Sequence, residues 1–115
     1  MKDISFFSKI FIAIDPVDFR KQAHGLSIIV EHTLNHIGLN DKVIFAFTNK
    51  RRTAVKLLYW DSTGYALWWK TLEHDVFKWP TCENECKKLE AKELKWILEG
   101  IDLNLINRHE KVILS

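Results

Sequence analysis

Residues 43–72 read VIFAFTNKRRTAVKLLYWDSTGYALWWKTL, and the fold turns on how this stretch is divided. Val43 to Thr48, Val55 to Trp60 and Tyr65 to Leu72 are rich in β-branched and aromatic residues, the types that fit a pleated surface. Asp61-Ser62-Thr63-Gly64 has the composition of a tight connection, with Gly64 the residue able to take a positive φ. Asn49-Lys50-Arg51-Arg52 separates the first two runs, and three adjacent cations belong in solvent because burying them unpaired is very costly. A fourth run, Val76 to Trp79, extends the series, and Trp79-Pro80 ends strand pairing because proline has no amide hydrogen. These segments predict an antiparallel meander.

Working outward, Ile10 to Ile14 is a short apolar strand that stops at Asp15-Pro16, where proline holds its predecessor extended. From Phe19 the apolar positions Ala23, Leu26, Val30, Leu34 and Ile37 follow at steps of three or four and share one helical face. Asp18 is suited to cap that helix and Gly38 to end it. Leu94, Ile97, Leu98 and Ile101 predict a second helix stopping at Gly100. The expected fold is α+β: a mainly antiparallel sheet, order along the chain β-α-β-β-β-β-α, packed against two helices. Residues 1–103 form one domain in this reading. Within the tail 104–115, Lys111-Val112-Ile113-Leu114 either adds an edge strand or stays loose.

A chain of 115 residues that is 47% hydrophobic, with five Trp, has enough apolar surface for one core without staples. Seventeen Lys plus Arg against fifteen Asp plus Glu leave a net charge of +2, too small to imply a polyanion partner by itself. Placement of the charges therefore carries that argument. Cys82 and Cys86 are the only cysteines, no leader pattern is apparent, and no apolar run approaches the roughly 20 residues of a membrane span. A reducing cytoplasm is the expected setting, with no membrane partner.

Lys50-Arg51-Arg52, with Lys56 close behind, concentrates four cations near one hairpin. Arginine grips phosphate through two parallel hydrogen bonds and lysine acts as a point charge, so the cluster suits a nucleic-acid backbone. The alternative is a solvated turn that discourages edge pairing. Arg20 and Lys21, in the first turn of the expected helix, would join free amide groups in an anion site, unless Arg20 merely pairs with Asp15 or Asp18. Tyr59, Trp60, Tyr65, Trp68 and Trp69 crowd one hairpin. Exposed rings beside cations would stack on unpaired bases, whereas buried ones are core; Tyr65 and Trp68 are the candidates for a partner surface.

Catalytic readings find less support. Asp15, Asp18, Asp61 and Glu73 could in principle hold magnesium, but the Glu-x-Lys triplets beginning at Glu85, Glu90 and Glu93 all fall around the expected second helix instead of on a strand. Cys82 and Cys86 with His74 or His109 make a poor zinc pattern. No metal, cofactor or catalytic residue is assigned.

The run Phe45-Ala46-Phe47-Thr48-Asn49-Lys50-Arg51-Arg52 through Lys56-Leu57-Leu58-Tyr59-Trp60-Asp61, continuing to Phe77-Lys78-Trp79-Pro80, strongly resembles the insertion sequence 66 accessory (TnpB-like) family. Pro16-Val17-Asp18-Phe19-Arg20-Lys21 with Gly25-Leu26 matches its opening motif and Leu98-Glu99-Gly100-Ile101-Asp102 its closing one. Lys50, Thr71 and Asp75 depart from positions commonly arginine, basic and glycine. The resemblance implies a bacterial protein encoded beside a larger transposase and needed for efficient transposition, without catalytic activity of its own. It is distinct from the RNA-guided nuclease that shares the TnpB name. Element DNA and the transposase are the implied partners; an adaptor touching only the transposase is the rival, and a small metal-dependent nuclease the third reading.

Overall fold

A computed structural model describes residues 3–33 and 42–103. Leu34, Ile37, Gly38 and the tail 104–115, on which three of the expectations rest, lie outside the described residues. Five strands form one sheet: β1 (Lys9–Ala13), β2 (Val43–Thr48), β3 (Ala54–Asp61), β4 (Gly64–Thr71) and β5 (Cys86–Leu89), in spatial order β4-β3-β2-β1-β5. The helix α1 (Ala23–Thr33) links β1 to β2, which pair in parallel; the other three pairings are antiparallel. This is the expected α+β architecture.

The two faces of the sheet build two cores. Phe45, Phe47 and Leu58 pack with Leu26 and Val30 of α1 on one face. On the other, Ile10, Ile12, Ile44, Leu57 and Tyr59 pack with Leu94, Ile97 and Leu98 of helix α2 (Ala91–Leu98), and with Ile4, Phe7, Phe77 and Trp79. Both faces being covered explains why β2 is buried along its whole length and reads as a continuous apolar run instead of an alternating one. The last turn of α2 ends at Gly100, whose φ of 85° is open to glycine, and Lys70 of β4 donates to the Leu98 carbonyl at 2.8 Å.

Three local expectations are corrected. The helix α1 begins at Ala23, not Phe19, because the carbonyls of Phe19 and Lys21 accept hydrogen bonds from Lys56 Nζ and the Asp18 carboxylate binds Arg20. Val76–Trp79 forms no ladder. Its alternation is real, since Phe77 and Trp79 are buried while Val76 and Lys78 are exposed, but the segment lies across the α2 face of the sheet. The meander therefore stops at β4, and the strand that follows in the chain, β5, pairs instead with the outer side of β1. In the β3–β4 hairpin the left-handed residue is Ser62, at φ 53°, and Gly64 opens β4.

Candidate nucleic-acid interface

The β2–β3 connection is braced by its first residue. Asn49 Oδ1 accepts from the Thr53 and Ala54 amides at 2.9 and 3.2 Å, Asn49 Nδ2 donates to Thr53 Oγ1 at 2.9 Å, and the Arg52 amide returns to the Asn49 carbonyl at 3.0 Å. An asparagine side chain bridging its own turn fixes the backbone while leaving the residues between free of packing duties. Lys50 and Arg51 are exposed and Arg52 is half-buried. None of the three forms an ion pair among the described residues. Arg52 holds a φ of 59°, a left-handed conformation that disfavours a side chain by roughly 1–2 kcal/mol.

Lys56 is not where a phosphate could reach it. Its side chain lies on the α1 face of β3 with no exposed surface, and Nζ donates to the carbonyls of Phe19 and Lys21 at 2.8 and 2.9 Å. The ammonium also sits 4.8 Å from the centre of the Phe19 ring and 4.4 Å from that of Trp69. Burial pushes its pKa down, and Asp18 opposes that shift. The expected DNA contact at this position is therefore overturned: two backbone acceptors and two rings replace the water that a surface cation would keep.

Arg20 and Lys21 are exposed, but they precede α1 instead of lying in its first turn. Arg20 pairs with Asp18, with its Nη2 2.6 Å from Oδ2 and its amide 2.9 Å from Oδ1. These bonds, the side-chain ones foremost, hold the Asp18 carboxyl down at about 2. The Val17 amide donates to the Thr48 carbonyl at 2.9 Å, so this loop sits at the same end of the sheet as the Asn49–Thr53 turn. The 72–81 segment joins them there, with the Leu72 amide on the Thr53 carbonyl and the Phe77 amide on the Arg52 carbonyl.

The aromatic candidates divide. Trp68 is half-buried against the α2 core, while Tyr65 is partly exposed on the opposite face and meets Trp60 edge-on at 5.1 Å. Strand alternation puts them on different faces, so they make no common patch. Trp69, named with the crowded hairpin rings but not among the partner-surface candidates, is 53% exposed and meets Phe19 edge-on at 6.0 Å, beside the Arg20-Lys21 loop. Its alternation with Trp68 was the available signal.

Lys78 and Lys87 were also missed. Glu85-Cys86-Lys87 runs onto β5, contrary to the expectation that it lies around a helix, and Lys87 pairs in register with Ile12. Among the described residues no three His, Cys, Asp or Glu side chains are placed to hold a metal ion. Both cysteines are free thiols, and burial raises the pKa of Cys86. No described helix is long and apolar enough to cross a membrane.

The family model described as IS66 Orf2 like protein matches residues 8–108. The chain is similar to the uncharacterized protein y4jC of Sinorhizobium fredii, 31% identical over 87% of this chain and 85% of the relative. It is also similar to y4hO of the same organism, 28% identical over 82% and 81% of the respective chains. No solved structure matches.

Proposed function

The chain belongs to the IS66 Orf2-like family, and from that membership we propose that it is a non-catalytic accessory protein for transposition which binds DNA of its insertion sequence through the Asn49–Thr53 turn. The observation that carries the reading is a pair of exposed cations, Lys50 and Arg51, on a braced turn with no carboxylate partner among the described residues. A fixed turn loses little freedom on binding, so its charges are well placed to displace counterions from a backbone. Arg20 and Lys21 flank it at the same end of the sheet, and the half-exposed Trp69 offers a stacking face beside them. The transposase is the protein partner this role calls for.

The test is a titration with duplex DNA from the element ends at several salt concentrations. Each phosphate contact contributes about 0.9 to the log-log slope, so a site using Lys50, Arg51 and Arg52 should give a slope of about −3. Replacing Lys50 and Arg51 together by glutamine should lower its magnitude by about two with the fold intact, since both side chains are exposed. Unchanged affinity and slope in that double variant would remove the turn from the mechanism. The transposase adaptor would then lead, with Tyr65 and Trp69 as the surface to vary.

A further inference from the structure

A cleft of about 330 Å³ opens between the β2–β3 turn, the 76–81 segment and β5, and its lining includes Arg52, Lys78, Thr81, Lys87 and Asp102. Three cations against one carboxylate leave its lining rich in positive charge. Arg52 and Lys87 form no ion pair among the described residues; Lys78 is held only loosely, at 3.5 Å from Asp75 on the surface. The floor is rigid, because Phe77 and Trp79 are buried, the Phe77 amide donates to the Arg52 carbonyl at 2.7 Å, and the Trp79 indole donates to the Ala13 carbonyl at 2.9 Å. That same hydrogen bond to its carbonyl ties down the left-handed backbone of Arg52, where glycine or asparagine would sit with less strain. A cation at such a strained position suits a side chain that makes a contact.

Size narrows the occupant. The volume lies at the lower end of the range for small-molecule sites, larger than a bare phosphate requires and comparable to a sugar-phosphate unit. We propose that the cleft holds one nucleotide unit of a nucleic-acid strand, with Arg52 and Lys87 gripping its phosphate. This rests on the nucleic-acid reading given above and extends the contact surface past the exposed turn, from Lys50 and Arg51 across to β5.

The probes are thymidine 5′-monophosphate, thymidine and inorganic phosphate, each titrated into ¹⁵N-labelled full-length protein while amide shifts are followed. The monophosphate should saturably shift the amides of Arg52, Phe77 to Trp79, Thr81 and Lys87. Thymidine should leave them unmoved, and inorganic phosphate should move them with at least about fivefold weaker affinity. Arg52→Gln and Lys87→Gln should each weaken the monophosphate about tenfold, as expected for one charge-assisted contact. Thymidine binding as well as its monophosphate, phosphate alone binding as tightly, or Lys87→Gln keeping full affinity would each overturn the proposal. A parallel titration with element-end duplex separates the two readings. Duplex binding that is lost in the Lys50/Arg51 double variant, with the monophosphate inert, would sink the cleft and spare the DNA-binding turn; monophosphate binding without duplex binding would do the reverse.

Discussion

Two lysines six residues apart, Lys50 and Lys56, carry the same charge and have opposite fates. One is exposed on a turn, and the other is enclosed between Phe19 and Trp69 with two carbonyls as acceptors. Composition cannot separate them, because what differs is the face of β3 and what the neighbouring loop brings to it. Replacing Lys56 by methionine keeps most of the volume but removes the donor shared by the Phe19 and Lys21 carbonyls. We expect a loss of about 2–3 kcal/mol in a urea unfolding titration, the usual scale for hydrogen bonds to a charged group. A change under about 0.5 kcal/mol would mean that the two carbonyls are satisfied without it. Exposed Lys50, by contrast, should be replaceable at almost no cost in stability. The sequence thus placed the cations of the turn in solvent, where Lys50 and Arg51 are, but gave no sign that Lys56 behind them is buried.

At the level of elements, β2, β3 and β4 were legible because β-branched and aromatic residues fill them, and the boundaries differ from expectation by one residue at most. The fifth strand was not. Cys86-Lys87-Lys88-Leu89 has only one residue buried, and lysines on an edge strand discourage pairing with other chains while hiding the strand from a hydrophobicity reading. The opposite error arose at Val76–Trp79, where burial alternates with period 2 but the backbone pairs with a turn instead of a strand. Two bonds fasten that segment, from the Phe77 amide to Arg52 and from the Trp79 indole to Ala13. Trp79→Phe removes the indole donor and leaves a buried acceptor, which should destabilise the protein by about 1–3 kcal/mol. Hydrogen exchange at the Phe77 amide should accelerate more than at the β2 and β3 amides. Equal acceleration throughout would show that the segment and the sheet open together.

For the whole molecule, the parallel pairing of β1 with β2 directs the loops after both strands to one end of the sheet, which gathers residues distant in sequence. Arg20 and Lys21 follow β1, Lys50 to Arg52 follow β2, and Lys87 enters from β5. No local pattern announces that convergence. Lys87 acquires its place only through the register of Ile12 with Lys87, so the exposed turn was readable from the sequence while the cleft beside it was not. The same strand order bears on synthesis. β1 is made before the other four strands yet stands between β2 and β5, and its outer side pairs with residues that emerge from the ribosome after those of β2, β3 and β4. Until Cys86–Leu89 has emerged, Ile10 to Ala13 offer an unpaired apolar edge to any neighbouring nascent chain. Chains released before Cys86 should therefore sediment as concentration-dependent aggregates where the full-length protein does not. Monomeric truncated chains would show that this edge is protected in some other way. Translation that pauses late in the message should lower the yield of this protein more than pausing early.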